Sequence, residues 1–280
     1  MTARMDLALV PAGYSPGATL LALGVVALAI CWGSGLTAWR RLLSTVLIIA
    51  FQACAQVPER FTNLQVLPKD TSKADIMHIM RGFSFALGVR CNYCHTGKSD
   101  GSLDGMNFAG DEKETKKAAR VMLRMVAAIN ADYVSKLGGT PAIEVECFTC
   151  HRGLQRPRPL QAVLAEELDK QDIPSAIALY RDLRKSYYGG AQYDFSETSL
   201  NILTESLLGK EKRKEAVAIM ELNLEVNHTL SGWGNNLIAM AHRANGDTEK
   251  AIQDYKKILE ASPENSWAKQ QLADLQSGKK

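Results

Sequence analysis

Two short stretches of this chain hold residues that could do chemistry: "CNYCH", Cys91 to His95, and "CFTCH", Cys147 to His151. Each sets two thiols three positions apart and an imidazole directly after the second. A Cys-x-x-Cys pair serves three chemistries: half a zinc site, a thiol–disulfide couple or, when His follows, covalent attachment of haem. Zinc would gather four thiolates, or thiolates and imidazoles, into one tetrahedral shell, and gives no reason for His at the same place in both copies. The two pairs also stand farther apart than in zinc ribbons or fingers, and no βαβ pattern surrounds them as a thioredoxin-like couple requires. Haem attachment uses every residue. Each Cys forms a thioether to the porphyrin and each His ligates the iron. Two covalently attached c-type haems are therefore expected, one on Cys91, Cys94 and His95, the other on Cys147, Cys150 and His151.

The N-terminus bears on the compartment. Residues 7–39 carry no charge, then Arg40 and Arg41 precede the apolar run "LLSTVLIIAF" and "QACAQ". The unit over about 40–55 reads as a signal peptide, with an A-x-A-like site at Ala53-Cys54-Ala55 and cleavage before Gln56. The upstream segment 7–39 is long enough to span a bilayer, so it is either a membrane anchor or an extension from a misplaced start. Removing residues 1–55 removes Cys31 and Cys54 and leaves four of the six cysteines, all inside the two motifs. No thiol then remains for a structural disulfide in an oxidising compartment. The chain is expected to be exported, to the periplasm or cell surface. A net charge of +3 gives no argument for nucleic acid.

Each motif follows a helical pattern. Ser72 and Asp75 make a capping-box-like start, after which Ile76, Met80, Phe83 and Leu87 recur at helical spacing up to Gly88. The Gly- and Asp-rich loop "HTGKSDGSLDGMNFAGDEKE" follows and is expected to be exposed. A second helix is expected over about 112–134, with Ala118, Met122, Met125, Val126 and Ile129 on one side, broken by "SKLGGTPAIEVE" before Cys147. A six-coordinate haem needs a second axial ligand, and Met is the soft ligand usual in electron-transfer cytochromes. Met80 and Met125 lie on the helices before the two motifs. Met77 and His78 are rivals at the first site and Met122 at the second. A Met on an apolar helix face is more often packing than ligand, but two irons need partners and the chain offers few others. Arg90, Arg120, Arg124 and Arg152 flank the motifs and are candidates to pair with haem propionates.

The stretch "MHIMRGFSFALGVRCNYCH", then "KKAARVMLRMVAAIN", then "CFTCHRG" resembles half of the four-haem cytochrome subunit of bacterial photosynthetic reaction centres. The resemblance covers roughly residues 63–153. It implies a Met ligand on the helix preceding each motif, which maps onto Met80 and Met125 and favours them over Met77 and Met122. One haem of that family takes a His from elsewhere in the chain, so the resemblance fixes the first ligand better than the second. Only one pair of motifs is present here, and a different C-terminal half follows.

That half repeats. "PSAIALYRDLRKSYYGG", "KEAVAIMELNLEVNH" and "EKAIQDYKKILEASPEN" align on Ala176/Tyr180, Ala216/Met220 and Ala251/Tyr255. The last two are offset by 35 residues, near the tetratricopeptide period, and the first two by 40, implying an insertion around "GGAQYDF". Trp233, the "NGD" turn and Pro263 fit the third repeat, and Ser266 to Gln276 can cap the stack. The expected fold is all-α: a leader over 1–55, a dihaem cytochrome segment over 56–158, and tetratricopeptide hairpins over 159–280. The expected function is transfer of single electrons between redox partner proteins, with the repeats docking a partner or assembling copies into an oligomer or filament. A dihaem peroxidase-like enzyme and a redox-sensing scaffold are the competing classes.

Overall fold

The computed structural model of the chain describes residues 57–98, 103, 105–139 and 143–278. The expected leader, with segments 7–39 and 40–55 and with Cys31 and Cys54, lies outside the described residues. Among the described residues the regular elements are helical, apart from one isolated bridge between Thr96 and Asn107. None of these helices is long and apolar enough to cross a membrane.

Helix α1, Lys73–Leu87, begins as its sequence dictates. The Ser72 hydroxyl accepts from the Asp75 backbone N–H at 3.2 Å and donates to the Asp75 carboxylate at 2.7 Å. It ends at Gly88, whose φ of 65° lets the Gly88 and Val89 N–H groups close back on Phe85 and Ser84 carbonyls. Helix α2, Glu114–Ala128, is regular over less of the chain than expected. Residues Ile129–Tyr133 widen into π geometry and Val134–Lys136 tighten into a 3-10 turn. A contact with a later segment accompanies the change: the Asn130 amide donates to Val145 O at 2.8 Å and accepts from Val145 N at 2.9 Å. It acts as a surrogate peptide group, and such one-turn π segments re-aim the chain that follows. Here they deliver it to the short helix α3, Cys147–His151.

From Leu160 onward the chain forms consecutive helical hairpins. Helices α4 (Leu160–Lys170) and α5 (Ile173–Tyr187), α6 (Glu197–Gly209) and α7 (Arg213–Asn227), and α8 (Gly232–Asn245) and α9 (Thr248–Ala261) pair in order, and α10 (Ser266–Gln276) packs on α9. The small-then-large spacing does what it promised. Ala176, Tyr180, Ala216, Met220, Ala251 and Tyr255 are all 0% exposed. The small residue lets a neighbouring helix close in, and the large one a turn later fills the space beside it. Asn245-Gly246-Asp247 supplies the expected turn, with Gly246 at φ 87°. The insertion around "GGAQYDF" folds back on its own hairpin: Phe195 meets Tyr180 edge-on at 5.8 Å, and Tyr193 meets Tyr187 at 5.5 Å.

Burial is divided unevenly. The buried hydrophobic clusters belong to residues from Leu160 onward. Over 57–158, only Ile76, Ala86 and His151 are buried among the described residues. A segment of that length with so small a polypeptide core cannot offset the entropy of ordering its chain by self-packing alone.

Candidate haem sites

The first motif is a tight turn held from behind by α2. Cys91–Tyr93 forms a 3-10 turn in which the His95 N–H closes on Cys91 O at 3.0 Å. From α2 and its approach, the Lys113 ammonium donates to Asn92 O and the Thr115 hydroxyl to Tyr93 O at 2.6 Å. Lys116 donates to Phe108 O at 2.9 Å and Gly110 O at 2.6 Å. The glycine-rich loop between motif and helix is therefore tied down where it is described, rather than merely exposed as expected. The His95 ring meets the edge of Phe108 at 5.2 Å, and its Nδ1 is buried with no hydrogen-bond partner. Burial first, then the charges of Lys116, Lys113 and Arg120, hold His95 below the usual imidazole range. The Asn107 backbone pulls the other way but stands outside hydrogen-bond geometry. The neutral ring is the form that ligates metal. Burial likewise raises the Cys94 thiol.

The second motif sits on α3. The Glu146 N–H donates to the Thr149 hydroxyl at 3.0 Å, starting the helix, and one turn carries Cys147 and Cys150. Arg152 (φ 50°) and Gly153 (φ 87°) then reverse the chain. The reversal brings Leu154 O to 2.8 Å from His151 Nδ1. A carbonyl only accepts, so Nδ1 carries the proton, and Nε2 is the nitrogen left to face a metal. Burial, with lesser contributions from Glu146 and Cys150, raises the Cys147 thiol.

The supports of the two motifs interlock. Gly153 N donates to Ala86 O at 2.8 Å, and a Cβ on Gly88 would stand 2.3 Å from Gly153 O, so position 88 admits no side chain. Phe85 of α1 stacks on Phe148 of α3 with centroids 4.9 Å apart and planes at 17°. This joint was not foreseen from sequence; two glycines three residues before one motif and two after the other were the only trace of it.

The donor sets fit two haems. All four described cysteines are free thiols, and no group of three or more His, Cys, Asp or Glu among the described residues is arranged to hold a metal ion. The thiols thus stand in two pairs, each followed by its imidazole. The same segment presents large apolar side chains outward: Phe85 is 70% exposed, Val121 61%, Met125 42% and Ile143 62%. Val121 and Met125 lie one turn apart on α2, making an apolar strip that a porphyrin face would match. Met80, Met77 and Met122 are half-buried and His78 is exposed. Of the arginines, Arg90, Arg124 and Arg152 are exposed. Arg120 is half-buried and engaged by Asp111 at 2.7 Å.

Asp111 is the hub of a clamp that sequence reading missed. It accepts from Arg120, from Lys116 at 3.2 Å and from Gln65 at 3.1 Å, while Asn63 donates to neighbouring Ala109 O at 2.5 Å. The Arg120 hydrogen bond first, with the Asn63 amide and Lys116 beside it, holds its carboxyl well below the usual carboxylate range. A depressed carboxylate stabilises the fold fully above its unfolded value, near 4, and that contribution is lost as pH falls toward the folded value. Thermal melts of the wild type should therefore lose stability between about pH 5 and 2.5, and Asp111→Asn should flatten that part of the profile while melting lower at pH 7. An unchanged profile would remove Asp111 from this role.

A chain that is helical over its described residues and carries two Cys-x-x-Cys-His motifs has the donor set of a c-type cytochrome. Residues 50–175 match the family model of the photosynthetic reaction centre cytochrome C subunit, and this part of the chain is related to that family. Cytochrome c-554 of Chloroflexus aurantiacus is 38% identical over 102 residues, 36% of this chain and 23% of that protein. The reaction center cytochrome c subunit of Rubrivivax gelatinosus is 34% identical over 117 residues, 34% of this chain and 30% of that one. The subunit of Thermochromatium tepidum is 34% identical over 102 residues, 36% of this chain and 22% of that one. The chain thus spans less than a third of the length of these relatives. The second tetratricopeptide domain of human RPAP3 is 15% identical, with a TM-score of 0.29, over 42% of this chain and 92% of that one. At that level the reading of the hairpins rests on their own packing.

Proposed function

We propose that this chain is an exported dihaem c-type cytochrome that passes single electrons between redox partner proteins at the periplasm or cell surface. The observation that supports it best is the pair of imidazoles, His95 and His151, each directly after a thiol pair, on a segment similar to reaction-centre cytochromes. The haems, when bound, supply the reversible one-electron couple of their iron. The protein's own part is to hold them. Cys91 and Cys94, and Cys147 and Cys150, would be the attachment thiols; His95 and His151, with Met80 and Met125, would hold the irons. Phe85, Val121 and Ile143 give apolar cover that keeps water from the porphyrin. The hairpins over 159–280 dock a partner or a second copy.

A haem enzyme with one displaceable ligand is the second reading, favoured by the 42% exposure of Met125. Spin state separates the two. Resonance Raman spectra of the purified holoprotein should show two low-spin, six-coordinate haems, whereas a high-spin component would replace the carrier by the enzyme.

A further inference from the structure

The two sites differ behind their imidazoles. His151 Nδ1 meets Leu154 O at 2.8 Å, whereas His95 Nδ1 is buried without a partner. A hydrogen bond from Nδ1–H to a carbonyl gives the ring imidazolate character and makes Nε2 a stronger donor. Stronger donation stabilises the oxidised iron and lowers the reduction potential; second-shell hydrogen bonding is one of the protein's levers on that potential.

Charge acts in the same direction. Behind the first motif stand Lys113, Lys116 and Arg120, the last two with side chains only 12% and 13% exposed. Asp111 and Glu112 offset part of this, Asp111 through Arg120 and Lys116, Glu112 through Thr96 and Asn107. Among these five groups, three positive and two negative, one positive charge is in excess. The charges flanking the second motif in sequence are Glu146, directly before Cys147, and Arg152, directly after His151. Both are exposed and are screened by water. A poorly solvated cation favours the reduced iron, whose net charge is one unit less positive.

We infer that the haem of Cys91, Cys94 and His95 is the higher-potential member of the pair, and that of Cys147, Cys150 and His151 the lower. An electron shared between the two haems would therefore rest on the first. Phe85 stacked on Phe148, with Gly153 N bonded to Ala86 O, joins the supports of the two motifs and would hold the two haems near one another. Lys113 and Lys116 are positioning residues for this polarity, acting through field rather than ligation.

The inference rests on the dihaem reading, and the test keeps the two apart. Spectropotentiometry is run on the holoprotein, on Lys113→Gln/Lys116→Gln and on Glu146→Gln, with covalent haem counted in each by pyridine haemochrome. Two resolved one-electron waves are expected. The double lysine variant should lower the upper wave about three- to tenfold in the ratio of reduced to oxidised haem at fixed potential, about 30–60 mV at ~59 mV per tenfold. The lower wave should move by less than a third of that. Glu146→Gln should instead raise the lower wave. Two haems with coincident waves, or lysine variants that move the lower wave, would overturn the polarity while leaving the dihaem reading intact. A preparation carrying no covalent haem would remove the dihaem reading itself. Should the double variant fail to fold, Glu146→Gln alone decides, since raising the upper wave would contradict the assignment.

Discussion

Met80→His lowers one midpoint potential, by on the order of 0.1–0.3 V out of the ~0.8 V range that axial ligation commands, and leaves the other nearly in place. The reason is the ligand's softness. A thioether withdraws electron density from the iron and favours the reduced state, whereas imidazole favours the oxidised one. Met80 sits half-buried on α1, one turn after the buried Ile76, on a helix pinned at Ser72 and Gly88. Its backbone is fixed at both ends, so a His there keeps its place and changes only the donor atom. Met125→His should do the same to the other wave. Loss of a Met-ligand absorption band with only one wave shifted is the expected signature. Should the spectrum and both potentials stay unaltered in either variant, that Met is packing and one of Met77, His78 or Met122 takes its role.

Replacing both Cys91 and Cys94 by Ala takes the covalent haem from two equivalents to one and loosens the segment around the first motif without unfolding the hairpins. The asymmetry of burial requires it. Residues 57–158 bury only Ile76, Ala86 and His151 among the described residues, while Leu160, Leu164, Tyr180, Leu200, Ile219 and Tyr255 are nearly or wholly buried in the hairpins. A group that binds only the folded segment stabilises it by mass action, and a covalent one does so without dissociating. Limited proteolysis should thus cut the variant within 57–146, and far-UV circular dichroism should retain most helical signal. Equal loss of structure along the whole chain would mean that the hairpins depend on the haem segment for their stability.

Much of this was legible in the sequence because its signals are short-range. Ser72 with Asp75 starts α1 and Gly88 ends it, since a cap is decided by three or four neighbouring residues. Ala216/Met220 and Ala251/Tyr255 lie in the core because helix period and hairpin period both write themselves along the chain. The unread parts are pairings across distance. Asn130 standing in for a peptide against Val145, Asp111 gathering Gln65, Lys116 and Arg120, and Gly88 against Gly153 each join residues whose partners no local pattern names. The end of α2 was misplaced for the same reason: composition continues to favour helix past Ala128, and the π segment comes with the distant Asn130–Val145 contact. Leu154 O on His151 was unread for a different reason: it lies only three residues away, but a backbone carbonyl carries no sequence signature.

The central claim is that both Cys-x-x-Cys-His motifs carry covalent haem. Intact-mass spectrometry of the chain, matured in a bacterium competent for c-type haem attachment and measured under denaturing conditions, tests it most directly. The account predicts a single species heavier than the mature polypeptide by two haems, with no thiol among Cys91, Cys94, Cys147 and Cys150 open to alkylation. A mass equal to the polypeptide alone, with four alkylatable thiols or a zinc ion released on denaturation, would contradict it.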